Sequence, residues 1–356
     1  MVKLLVGTTK GLFILHGNDA RTQWQVEGPL CDGSPVNHAI GRADTGEVWA
    51  VGGGGWYPAG AWRRTQGEWS FSSQGFEKDV KSVWSVARDP VRNRLLAGTK
   101  PAELYASGDG GASWEKLPAL TEVPGADTWM PGAAGLTLHT ILVAPDGRIW
   151  VGISAAGVFH SDDGGQTWQA RMRRSNRPGP AGDLAEAAPP EYAPAKGEIF
   201  SCVHNMAFGA TEGVIYMQNH QGVYRTRDGG GVWEEITVGL PSTFGFPVAA
   251  HPHDPQTLWT FPLNGDSKGR YPPEGRAAVW RSRDGGETWA DMREGLPAKD
   301  CFFTVLRQAM ANDRQQPAGV YFGTNSGSVF ASRDEGDTWI EAARHLPTVL
   351  CVEVMQ

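Results

Sequence analysis

At 356 residues the chain exceeds the roughly 250–300 residues that one hydrophobic core usually reaches, so it is two domains or one repeat array. Its 47 glycines, 24 prolines and 15 tryptophans, with only 20% charged residues, suit many short strands joined by tight turns. The net charge of -7 argues against a nucleic-acid or anionic-membrane partner, and no apolar run is long enough to span a bilayer.

The first strands lie in KLLVGTTKGLFIL, where Gly7, Thr8, Thr9 and Lys10 break the apolar run too early for a signal peptide. With four cysteines too scattered for a disulfide framework or a CxxC zinc site, a reduced cytoplasmic protein is expected. This unit ends at Trp24 and lacks a first strand. The next, VNHAIG through GEWSF, has the full rhythm: strand, turn, strand, loop, strand, and Trp69 in the closing position.

Five clearer units follow, each closed by one octet: SGDGGASW, SDDGGQTW, TRDGGGVW, SRDGGETW and SRDEGDTW, starting at 107, 161, 226, 282 and 332. Spacings of 50 to 65 residues, one supersecondary unit each, are the signature of a propeller-type array. A carboxylate beside glycines recurs in cation loops, but five copies would need five separate chemistries. The octet therefore reads as the hairpin between a third and a fourth strand. Its Asp accepts turn N–H groups, its Gly supplies positive φ, and its Trp fills the gap between sheets. Between the second and third octets, residues 171–198 are rich in Pro, Ala and Arg without a strand pattern, and read as an insertion loop over one end of the ring. The last apolar segment, 348–355, has no unit of its own and is expected to complete the first. Seven blades of about fifty residues then account for the chain as one all-β propeller over 1–356, with closed sheet edges.

The pattern Ser/Thr-x-Asp-x-Gly-x-Thr-Trp resembles the Asp-box, or BNR, repeat of sialidase-like β-propellers. The phrases ISAAGVFHSDDGGQTW, QNHQGVY and HLPTVLCVEV resemble bacterial proteins labelled glycosyl hydrolase on that repeat. The resemblance implies the fold and leaves the activity open. Sialidases also carry an early Arg-Ile-Pro segment that begins an arginine triad, and none occurs here, so exo-sialidase activity is not expected.

In such a ring the octets mark one face, and candidate chemistry gathers at the other. The innermost strands bring His38, His139, His204 and Glu353 to the channel as catalytic candidates. Matching Trp49 with Trp150 puts His38 and His139 in equivalent positions. Loops on that face add Trp56, Tyr57, Lys100, Asn219, His220, Arg270, Arg276 and Asn325 as substrate contacts. Imidazole needs partners at both nitrogens, so a cluster of His38, His139, His204 and His220 suggests a divalent, zinc-like metal. The expected function is a hydrolase or lyase acting on a small polar, carbohydrate-like or acidic molecule at the channel mouth. The alternative is a non-catalytic scaffold for protein partners.

Overall fold

Blade four shows how the sequence sets the architecture. Leu138–Val143, Ile149–Ile153 and Gly157–Ser161 are β-branched and aromatic runs that pair antiparallel, and the short strand Gln169–Ala170 completes the sheet. The two middle strands are buried on both faces because another sheet packs on each side. The computed structural model describes residues 1–132, 135–175 and 197–355, and contains seven such four-stranded sheets, one per blade. Of the 171–198 insertion, residues 176–196 lie outside the described residues. No helix among the described residues is long and apolar enough to cross a membrane.

The innermost strands are Val36–Gly41, Ser82–Asp89, Leu138–Val143, Val203–Phe208, Gly245–Ala250, Met310–Asn312 and Val349–Val354, in blades two to seven and then one. Each touches the next around a central channel. The final strand pairs antiparallel with Lys3–Thr8, setting Leu5 opposite Glu353 and Val6 opposite Val352. The C-terminal segment thus completes the first blade, as the unmatched first strand required. A second fastening lies at the same seam, where buried Arg21 of blade one meets Asp313 of blade seven at 3.0 Å. Its guanidinium also donates to the carbonyls of Pro317 and Arg333.

Each octet folds as the sequence implied. In blade four the Ser161 hydroxyl donates to Asp163 and accepts from the Gly165 N–H. Asp163 also takes the N–H groups of Gln166 and Thr167 at 2.9 Å and the Thr167 hydroxyl at 2.6 Å. The same carboxylate-centred net recurs around Asp109, Asp284 and Asp334. Burial works against these charges, but the donated bonds hold Asp163 well below the usual carboxylate range.

Side chains of one blade then pin the box of the next. The indole N–H groups of Trp49, Trp150 and Trp259 donate to Gly110, Gly229 and Glu335 carbonyls, and Arg94 and Arg225 do the same to Gly164 and Gly285. Box tryptophans fill the inter-sheet space, Trp233 completely. A tryptophan of that kind removes roughly 200 Å² from water, a gross gain of about 5 kcal/mol at the usual area coefficient.

Candidate functional site

The inner strands do not run straight into the channel mouth. In blades two to five the pairing register slips at the same place, between Val36 and His38, Val83 and Ser85, Leu138 and Thr140, and Val203 and Asn205. The residues stepped over are Asn37, Trp84, His139 and His204. A bulge frees a residue from the ladder and re-aims its side chain, which is why bulges recur beside functional sites. Four consecutive blades thus present one irregular residue each at the end of the channel away from the boxes.

This register corrects the equivalence of His38 with His139. Trp49 lies opposite Ile40 and Trp150 opposite Leu142, which makes Asn37 the counterpart of His139 and His38 that of Thr140. The physical reason is the turn between the first two strands, which spans 42–47 in blade two but only 144–148 in blade four. The extra residue shifts any match made from the second strand.

His38 is occupied with neighbours. The Val86 N–H donates to its Nδ1 at 3.0 Å, so Nε2 carries the proton and donates to Glu353 at 3.0 Å. Ring and carboxylate tie blades one, two and three together one step further along the strands than the bulges. His139 is the opposite case. It is buried, packs edge-on against Trp84 with ring centroids 5.3 Å apart, and has no hydrogen-bond partner at either ring nitrogen among the described residues. The Trp84 indole N–H is likewise buried without a partner among the described residues.

His204 donates Nδ1–H to the Gly245 carbonyl at 2.6 Å, which leaves Nε2 with its lone pair. Burial, reinforced by the Arg307 charge, pushes both His139 and His204 well below the ordinary imidazole range, so both are neutral at pH 7. Lys100 adds to this field at His139, and His220 and Arg270 add to it at His204. Arg270 and Arg307 both lie over the Phe246 ring, Arg307 at 4.5 Å. The mouth therefore carries the Arg270 and Arg307 charges beside two uncharged imidazoles, His139 and His204.

Below the bulges the channel is crossed by polar bonds. Gln308 of blade seven donates to the His139 carbonyl, Asn205 of blade five donates to the Arg307 carbonyl, and Thr140 donates to Asn205.

The remaining expected contacts sort by environment. Arg270 belongs to the mouth, and the Lys100 side chain runs alongside Gly135. Asn219 is fully buried and binds the Phe200 carbonyl, and Asn325 accepts the Thr304 N–H at 2.7 Å; both brace loops. Arg276 is paired with Glu274 beside an outer cleft of about 230 Å³ in blade six. Trp56 is 100% exposed and Tyr57 41%, carried outward by Gly53, Gly54 and Gly55, all at positive φ.

The metal candidates are likewise divided. His204 and His220 come together with Cys202, their ligand atoms within 4.8 Å of one another, while His38 and His139 stand outside that group. A cavity of about 710 Å³ also opens on the box face, lined by turns of blades four to seven including Arg148, Glu212, His251 and Arg314.

The sequence reading missed Trp84, Arg307 and Cys202. Trp84 could have been found, since VWSVAR in blade three stands where LHTILV stands in blade four. Arg307 comes from an irregular segment before a short inner strand and carries no pattern.

The profile of the BNR/Asp-box repeat matches residues 159–170, the blade-four box. A probable oligoxyloglucan-reducing end-specific xyloglucanase of Neosartorya fischeri is 26% identical over 236 residues, covering 59% of this chain and 27% of that protein. Among solved structures, an ancestral GH74 enzyme superposes with a TM-score of 0.58 at 17% identity, covering 85% of this chain and 38% of the other. A putative 6-phosphogluconolactonase from Bacteroides fragilis superposes with a TM-score of 0.60 at 12% identity, covering 100% and 98%. The chain thus spans about a quarter of the xyloglucanase and well under half of the GH74 enzyme. Likeness at this level carries architecture and not activity. The repeat profile and the seven sheets make this chain an Asp-box β-propeller, with a scaffold also found among glycoside hydrolases.

Proposed function

We propose that the channel mouth away from the boxes binds a small, anionic, carbohydrate-like molecule and turns it over by proton transfer, as a hydrolase or lyase. The observation that carries this reading is the buried His139 ring in the field of Arg307 and Lys100, with neither nitrogen partnered among the described residues, beside the half-buried Trp84. An orphaned buried polar group costs about 1–3 kcal/mol, so such groups are retained where a ligand or a bound water completes them. Cations at the mouth suit a carboxylate or phosphate, and a neutral imidazole suits proton abstraction from a substrate or its attacking water. His139 is the proposed proton carrier, with His204 beside it. Glu353, oriented by His38, is the proposed carboxylate deeper in the channel. The carbohydrate enzymes among the similar proteins support the ligand class.

Calorimetric titration with sugar acids and sugar phosphates, 6-phosphogluconate and glucuronate among them, tests the reading. Binding by the wild type and a loss of roughly tenfold or more in Arg307→Gln are expected. Absence of binding across the panel would refute the ligand class. Binding unchanged in both Arg307→Gln and His139→Phe would refute the site.

A further inference from the structure

Within blade five, the strand pairing brings together three side chains that a ligand at the mouth would meet from one side. Val203 lies opposite Asn219 in the register, and the His220 N–H donates to the Cys202 carbonyl at 3.0 Å. Cys202 thus sits beside His220 across the strand pair. His204, two residues on and inside the bulge, turns its ring toward both, with its centroid 5.4 Å from that of His220. The three ligand atoms lie within 4.8 Å of one another. In a tetrahedral site with metal–sulfur and metal–nitrogen bonds near 2.3 and 2.0 Å, those separations would be roughly 3.5 Å. Metal uptake would close that difference by movement of the half-buried His220 ring.

We propose that Cys202, His204 and His220 form a binding site for a zinc-like divalent cation, with a fourth position left for water or ligand.

One thiolate and two imidazoles form the borderline-soft donor set that selects zinc over magnesium or calcium. The surroundings are those of a metal site. His204 donates Nδ1–H to the Gly245 carbonyl, which fixes its tautomer and presents the Nε2 lone pair, the outer-shell arrangement that metal-bound histidines use. Ser154 places its hydroxyl 3.5 Å from the Cys202 sulfur, ready to donate to a thiolate. The rings of Phe200, Phe244 and Phe246 pack against the two imidazoles, which limits competing water. Cation binding displaces the thiol proton to solvent, leaving one net positive charge added to the site. This inference shares His204 with the anionic-ligand reading but does not rest on it, because the groups that carry that reading, His139 and Arg307, are not among its ligands.

Untagged protein stripped with a chelator and dialysed against zinc tests it. Roughly one equivalent retained per chain is expected, with the fourth position filled by solvent. Cobalt used in its place should give a sulfur-to-cobalt charge-transfer band that Cys202→Ser abolishes. Ser154→Ala should weaken zinc roughly tenfold or more through the outer shell while the fold is kept. Wild type that retains no zinc overturns the proposal. So does a cobalt spectrum without the sulfur band, or one that Cys202→Ser leaves unchanged. Repeating the sugar-acid titrations on the stripped protein separates the two readings, since ligand binding without zinc uptake sinks only the metal.

Discussion

The two ends of the channel are built on opposite rules. At the box face one hairpin is repeated, each copy centred on a carboxylate that takes several donated bonds, and each pinned by a Trp or Arg from the blade before it. At the other end four bulges put three kinds of residue, Asn37, Trp84 and the two histidines His139 and His204, in the same structural position. The first arrangement satisfies its carboxylates and the turn N–H groups around them internally, although the box indoles of Trp114 and Trp339 are buried without a partner among the described residues. The second leaves buried nitrogens of His139 and Trp84 open. Repetition around satisfied carboxylates marks structure, and variation beside an imidazole open at both nitrogens marks a surface shaped for something else.

The comparison breaks most severely if the ring itself is opened. Deleting the last nine residues removes the strand that pairs with Lys3–Thr8, together with the Thr9–Thr348 and Lys3–Met355 backbone bonds at its ends. Thermal unfolding should lose its single cooperative transition, and both faces should fail together. A truncated chain that melts like the full one would show that the seam is dispensable. Next in size is Arg21→Ala, which strands Asp313 in a buried position at the same seam. A loss of about 3–5 kcal/mol in urea unfolding is expected, because the carboxylate loses its counter-charge and keeps only the Tyr321 hydroxyl and the Gln315 and Gly319 N–H groups.

The box face was legible in the sequence because repetition makes its own argument. The octet recurs with Asp, Gly and Trp in register, so its role as a turn needed no structure, and the seven blades and C-terminal closure followed. The mouth was legible only in part. His139 and His204 stood out as histidines in apolar strands, but their geometry depends on bulges that leave no mark in the residues themselves. The one-residue difference between the turns at 42–47 and 144–148 was enough to misplace His38. Arg307 and Cys202 were hidden for different reasons. Arg307 lies in a segment without periodicity, and Cys202 pairs with His220 through strand register rather than through a sequence motif.

A single box tests the structural side of the comparison. Asp163→Ala orphans the N–H groups of Gln166 and Thr167 and should cost about 1–3 kcal/mol while leaving ligand affinity at the mouth unchanged. The boxes also predict an acid limit. The Ser113 hydroxyl and N–H lead the bonds that lower Asp109 to about 2. A carboxyl lowered in the folded state contributes stability that is complete above its unfolded value near 4 and lost as pH falls toward about 2. Asp109→Asn should flatten the stability profile in that window. An unchanged slope would mean that the box does not favour the ionised form.

The smallest expected effect on stability at neutral pH falls on a residue buried in the mouth. His139→Phe replaces an unpartnered imidazole with an apolar ring of similar shape, so it should be nearly neutral or slightly stabilising at pH 7.5. Its signature lies in pH. Burial and the Arg307 charge keep His139 neutral in the fold, whereas an unfolded histidine takes up a proton as pH falls below about 6.5. Wild type should therefore lose stability from pH 6.5 downward, since the unfolded state binds more protons there. The Phe variant should lose less over the same range, measured by urea unfolding at pH 7.5, 6 and 5. Ligand affinity and turnover should fall in the same variant, the reverse of what Asp163→Ala does. If His139→Phe destabilises at pH 7.5 by as much as the box substitution, the histidine is a structural member of the channel and the contrast between its two ends dissolves.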